Sequence, residues 1–226
     1  MNWITIGFIF LPFFTGFIVF IIPKIDRYLA LGTALATFAY GLYLFTQPRL
    51  GIPKLLDNFG VTLLVDELSG YFILTNALVT AAVTLYCWQT GKTAFFYGQM
   101  VILHGSLNAA FVCTDFVSLY VALEVSGIAG SLLVAYPRSE RSIWVALRYL
   151  FVSNIAMLFY LVGAALVYQA HHSFSFEGLR GAPPEAMDLI FMALLTKGGV
   201  FVSGLWLPMT HSESESPVSA MLSGWW

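Results

Sequence analysis

Apolar residues run along this chain in long blocks rather than in alternation. The blocks fall at about Ile4 to Ile22, Tyr28 to Phe45, Leu68 to Tyr86, Ala94 to Cys113, Phe116 to Tyr136, Ile143 to Tyr168 and Met187 to Leu205. Each is close to the ~20 residues that, at a rise of about 1.5 Å per residue, cross a hydrocarbon core of about 30 Å. The pattern predicts an all-α polytopic membrane protein of about seven transmembrane helices plus the start of an eighth. The first block has no basic region before it and reaches Pro23 without a small-residue cleavage pattern, so it reads as a membrane helix and not as a signal peptide.

Most connectors are short and carry turn residues and charges, as in Pro23 to Arg27, Trp88 to Lys92 and Pro137 to Arg141. Consecutive helices are therefore expected to be antiparallel neighbours. A longer connector, Gln47 to Asp66, holds Pro48, Gly51, Pro53 and Gly60, and the β-branched stretch Gly60 to Val65 predicts a short extramembrane strand. A second, Gln169 to Glu185, is polar with Pro183-Pro184 near its end, and both long connectors fall on one side. The opposite side carries Lys24, Arg27, Lys92, Arg138 and Arg141 against Arg49, Lys54 and Arg180, which assigns it to the cytoplasm and the N-terminus to the outside.

Composition agrees with a bilayer environment. Of 226 residues, 59% are hydrophobic and 10% charged, against about 25% charged in soluble domains. A net charge of -2 with no basic stripe excludes nucleic acid as a partner. Cys87 and Cys113 build neither a disulfide framework nor a four-ligand zinc site. No nucleotide fingerprint, flavin motif or cysteine cluster is present, so the chain is expected to hold no metal or cofactor and no catalytic centre of its own; any redox cofactor would belong to partner subunits.

Charge inside the apolar blocks is the informative chemistry. Glu124 lies nine residues beyond Asp115, about 13 Å along a helix and near mid-membrane. A charge at that depth costs roughly 2.5 to 3.5 kcal/mol on insertion scales, so the acid is expected to be functional and paired, or else protonated and hydrogen-bonded. Lys197 is equally deep and is followed by Gly198 and Gly199, a helix break of the kind tolerated only where it lines a protein-buried or hydrated cavity. An acid and a lysine near one another stabilise each other's charges while desolvation opposes both, which poises the lysine between two protonation states. His104, mid-span in the fourth block, is either a further relay group or a hydrogen-bonded packing residue; Asn108 and Asn154 read as polar glue between helices. His104 alone among the histidines has haem-ligating depth, which argues against a bis-histidine haem, and Ser126 and Ser203 have no partner for serine proteolysis unless His104 serves.

Downstream of Lys197 come Gly204-Leu205-Trp206-Leu207-Pro208-Met209-Thr210-His211 and Ser216-Pro217-Val218-Ser219-Ala220-Met221-Leu222-Ser223-Gly224. Together with Glu124 in the fifth span, Lys197 in the seventh and Asp66-Glu67-Leu68-Ser69 after Phe59-Gly60-Val61, this order resembles the antiporter-like membrane subunits shared by Mrp-type cation/proton antiporters and respiratory complex I. The resemblance implies a proton relay through Glu124 and Lys197, with His104 and His211 as further members and a break in the seventh helix at Gly198, Gly199 and Pro208. It also implies residues 1–58 as helices one and two with a loop, and residues 59–226 as the first of two inverted repeats in a fold of about fourteen helices. This chain departs from the family's W-L-P-D-A-H at Met209-Thr210 and has Glu215 where a proline is usual. Glu213 and Glu215 read as a cation mouth or as a solvated loop. The ending at Trp225-Trp226 suggests a piece of something longer.

The resemblance thus implies a proton-translocating subunit of a monovalent cation/proton antiporter, closest in its P-V-S-A-M-L-S-G stretch to the Mrp D subunit. The alternatives are a proton-pumping subunit of an NAD(P)H:quinone oxidoreductase, or a non-conducting scaffold. Expected partners are other membrane subunits, protons, a monovalent cation and the lipid of a bacterial-type plasma membrane or thylakoid.

Overall fold

The computed structural model describes residues 2–46, 54–56, 61–200 and 202–223. Gln47, Pro48, Arg49, Gly51, Pro53, Phe59, Gly60, Gly224, Trp225 and Trp226 lie outside them. The chain forms α1 (Asn2–Ile21), α2 (Asp26–Leu44), a small antiparallel ribbon of β1 (Lys54–Leu56) and β2 (Val61–Thr62), α3 (Glu67–Tyr86), α4 (Ala94–Val112), α5 (Phe116–Val134), α6 (Glu140–His171), α7 (Pro184–Lys197), α8 (Trp206–Glu213) and α9 (Ser216–Ser223). Helix starts follow local chemistry. Asp66 caps α3 by accepting from the Ser69 amide at 2.8 Å, Asp115 caps α5 from the Ser118 amide at 2.7 Å, and Ser139 caps α6 from the Ser142 amide at 3.0 Å. Pro184 opens α7 at a position where a missing N–H has no cost.

Among the described residues, α3, α5 and α6 are individually long and apolar enough to cross a membrane, and α1 with α2 pass together, bent by 119° at their junction. Helix α4 is as long but more polar, because its neighbours are helices and not lipid. It packs against α1, α2, α3 and α5, and Gln99, His104, Ser106 and Asn108 on it are all buried. Large apolar side chains such as Phe14, Phe17, Tyr71, Phe151 and Leu158 point outward instead, the inverse of a water-soluble surface. The seventh apolar block is not one continuous helix: α7 stops at Lys197, and the chain resumes through a short turn, Val202–Leu205, into α8, which begins just past the block. The polar residues Thr210 to Glu213 that the hydropathy pattern leaves outside the membrane continue α8, since Thr210 is buried against protein and Glu213 is ion-paired.

Polar contacts gather the connectors at each end of the bundle. At one end an Arg27 guanidinium N–H donates to the Trp88 carbonyl at 2.6 Å, Lys92 pairs with Glu215, and Arg141 pairs with Glu213 at 2.9 Å. At the other, the Leu64 amide donates to Val112 at 2.8 Å and the Phe116 amide to Phe174 at 2.9 Å, so the two long connectors meet on one side.

Helices α2, α3 and α4 are stitched by a buried network around His104. Its Nε2 lies 2.9 Å from the Thr37 hydroxyl and 3.1 Å from Asn108 Nδ2, and its Nδ1 lies 2.9 Å from the Thr80 hydroxyl. Asn76 donates to the His104 carbonyl at 3.0 Å and to Asn108 Oδ1 at 2.6 Å. Buried polar groups left without partners are costly, so Asn76→Ala, which strands Asn108 Oδ1, is expected to lower stability by about 1–2 kcal/mol. Thermal unfolding of the purified protein in detergent measures this; an unshifted transition would mean that water replaces the amide.

Candidate functional site

The end of α7 is a complete Schellman turn. Gly199 takes the left-handed conformation with φ 67°, its amide donates to Thr196 at 3.2 Å, and the Val200 amide donates to Leu195 at 3.0 Å. A glycine is needed there because a side chain would be strained at that φ. The turn makes Lys197 the last helical residue and caps the backbone without using its side chain. The Trp206 indole N–H donates to the Thr196 carbonyl at 3.1 Å, tying the start of α8 to the break, and its ring packs on Tyr149 of α6 with centroids 4.8 Å apart.

Lys197 is 2% exposed. Its ammonium donates to the Leu123 carbonyl of α5 at 2.8 Å and to the Ser153 hydroxyl of α6 at 2.7 Å. The space it fills exists because residue 127 is glycine: a Cβ there would lie 2.9 Å from Nζ and 3.1 Å from Ser153 Oγ. Glu124 sits beside Leu123 on α5, half-buried, and its Oε1 is buried without a hydrogen-bond partner among the described residues. The two charges are near enough to influence one another. Among the described residues no ion pair within 4.0 Å joins them. Neutral acceptors meet the ammonium directly, and the carboxylate acts on it across a gap.

The other candidates fall elsewhere. His104 is fully buried in the α2–α3–α4 network, which shares no member with the hydrogen bonds of Lys197. His211 joins α8 to α9, its Nδ1 lying 2.8 Å from the Ser219 hydroxyl. Gly198 and Gly199 form the break, but Pro208 does not interrupt a helix; it lies in the first turn of α8, where proline is well accommodated. Glu213 and Glu215 are ion-paired with Arg141 and Lys92 and remain partly exposed. Asn108 is in the His104 network, whereas Asn154 is exposed on the outer face of α6.

Ser153, Gly127, Tyr149 and Trp206 complete the site and carry little signal in the sequence. The readable trace is spacing. Tyr149 and Ser153 are four apart on α6, and Glu124, Gly127 and Gly130 are three apart on α5, so each set shares a helix face.

Comparison with known proteins places this site in context. Residues 113–226, which include both Glu124 and Lys197, match the family described as "NADH:quinone oxidoreductase/Mrp antiporter, TM". NAD(P)H-quinone oxidoreductase chain 4 2 of Microcystis aeruginosa is 29% identical over 96% of this chain and 44% of its own length. NADH-quinone oxidoreductase subunit N of Desulforudis audaxviator is 30% identical over 73% of this chain and 36% of its own. The chain thus spans less than half the length of these curated relatives. Its fold matches a chain of the membrane-bound sulfane sulfur reductase, an archaeal respiratory membrane complex, with a TM-score of 0.88 at 19% identity, covering 97% of this chain and 50% of that one. A chain of the Mrp complex from Dietzia sp. matches with a TM-score of 0.80 at 17% identity, over 97% and 46% respectively. With half its length matched to the family description and its fold shared along nearly all of it, the chain belongs to the integral membrane NADH:quinone oxidoreductase/Mrp antiporter family.

Proposed function

We propose that this chain is a proton-translocating membrane subunit of a multisubunit assembly, with Lys197 as the proton-carrying group and Glu124 as the charge that governs it. The observation behind this reading is a buried ammonium at a helix break, held by a carbonyl and a hydroxyl, with an unpartnered carboxylate oxygen nearby. Neutral acceptors hold the lysine in place but supply no full counter-charge. Its protonation therefore depends on Glu124: an ionised carboxylate favours the ammonium, and a neutralised one favours release of the proton. His104 and His211 are secondary members of the proposed relay at most, each engaged in its own hydrogen bonds between helices.

Two assemblies suit such a subunit. The curated relatives at 29% and 30% identity are quinone oxidoreductase subunits, which favours redox-driven proton pumping with other membrane subunits. The second reading is exchange of protons for a monovalent cation; the Pro217 to Gly224 stretch resembles Mrp D subunits and D-type quinone oxidoreductase subunits alike and so suits both. Purification of the intact assembly separates them: a quinone-reducing peripheral arm marks the first, and small antiporter subunits mark the second.

The relay itself is tested by proton movement in membrane vesicles carrying the assembled complex. Lys197→Ala and Glu124→Gln are each expected to reduce it at least about tenfold, equivalent to roughly 1.4 kcal/mol of added barrier. Undiminished movement in both would refute the proposal. Gly127→Ala is a subtler test, because its methyl collides with the movable tip of the lysine and not with backbone. It should leave the amount of assembled protein near normal while lowering transport several-fold, whereas normal transport would show that the ammonium need not occupy that space.

A further inference from the structure

The α5 face that holds Lys197 continues past it. A Cβ at residue 127 would lie 2.9 Å from Lys197 Nζ, and one at residue 130 would lie 3.4 Å from the Tyr149 hydroxyl oxygen. Residues three apart on a helix are separated by about 4.5 Å along its axis. Along the α5 axis, residue 124, the lysine ammonium and the tyrosine hydroxyl therefore follow in that order, on a stripe that winds about 60° around the helix with each step of nearly one turn. Helix α6 supplies the opposite wall, with Ser153 level with Gly127 and Tyr149 one turn away, level with Gly130.

Tyr149 is 1% exposed, and its hydroxyl has no hydrogen-bond partner among the described residues. That is unusual for a buried tyrosine, whose hydroxyl normally finds a partner. Its ring explains why it stays: the Trp206 indole packs on it, and Trp206 is itself bonded to the last turn of α7. The residue is thus held rigidly by its ring while its polar end is left unspent, beside Gly130 and on the side of Lys197 away from Glu124. Leu222 of α9 closes the same spot, its Cδ2 lying 3.3 Å from the position a Cβ on Gly130 would take.

We propose that Tyr149 is the group that passes the Lys197 proton onward, away from Glu124 and toward α9. The inference rests on the relay proposed above and adds its next member. In the step, the N–H bond of the lysine ammonium breaks and a water beside it takes the proton. The tyrosine oxygen accepts a proton from that water as its own O–H proton leaves to a second water on the α9 side. The lysine ends neutral, the phenol is unchanged, and one proton has moved along the stripe.

Tyr149→Phe tests this cleanly. It keeps the ring against Trp206 and removes a hydroxyl that has no hydrogen-bond partner among the described residues, so folding is expected to be unimpaired. In vesicles carrying the assembled complex, proton movement by this variant should fall several-fold, and its slowing in heavy water should become larger, because proton transfer past Lys197 now limits the rate. Movement equal to that of the unaltered chain would overturn the inference. So would a fall with an unchanged heavy-water effect, since a packing defect slows transport without changing its isotope sensitivity. Lys197→Ala and Glu124→Gln, measured alongside, keep the two proposals apart: if they abolish movement while Tyr149→Phe does not, only the onward step fails, and if they have no effect, the relay fails with it.

Discussion

A lysine that ends a helix inside a bilayer has to be met by something, and how Lys197 is met organises much of this half of the molecule. The ammonium reaches across from α7 to a backbone carbonyl of α5 and a hydroxyl of α6, so three helices converge on one side chain. Removing its charge from water is costly, and a contact with a carboxylate would be the usual compensation. Here the compensation is divided between dipoles in contact and a charge at a distance. A tight ion pair would hold both groups in their charged forms; dipolar contacts with a nearby charge leave the lysine's protonation open to change.

That arrangement depends on features that carry no charge. The Schellman turn at Gly199 ends α7 with its backbone satisfied, which frees the lysine from capping duty. The glycines of α5 set the depth of the recess, and the Trp206 indole fastens the resumed chain of α8 back onto the carbonyl of Thr196. The other half of the bundle is built differently. Around His104, hydroxyls and amides bond to one another in a closed set, and the effect is to fasten α2, α3 and α4 together.

The first six apolar blocks of the sequence match their helices to within a few residues because hydrocarbon imposes both length and composition on anything that crosses it. The blocks also exposed Glu124 and Lys197, since a charge within such a block stands out by its cost. The partners of those charges were hidden for the same reason. Serine and tyrosine are cheap enough in an apolar helix to pass unnoticed, and the Leu123 carbonyl is a backbone atom present in every residue. Ser153 and Asn154 show the limit well: the asparagine is the more conspicuous polar residue, but a step of one residue turns about 100° around the helix, and the serine faces the site while the asparagine faces out. The pairing of Glu213 and Glu215 is not legible in the sequence because their cations, Arg141 and Lys92, come from connectors that are distant in sequence and meet them only in the folded bundle.

Helix α6 runs for 32 residues, and its apolar block from Ile143 to Tyr168 alone spans about 39 Å at the usual rise, longer than a bilayer's hydrocarbon thickness of about 30 Å. Such hydrophobic mismatch is absorbed by tilting, by projection into the headgroups or by local thickening of the lipid. Because Tyr149 and Ser153 ride on this helix, any tilt it adopts also turns the wall that faces Lys197.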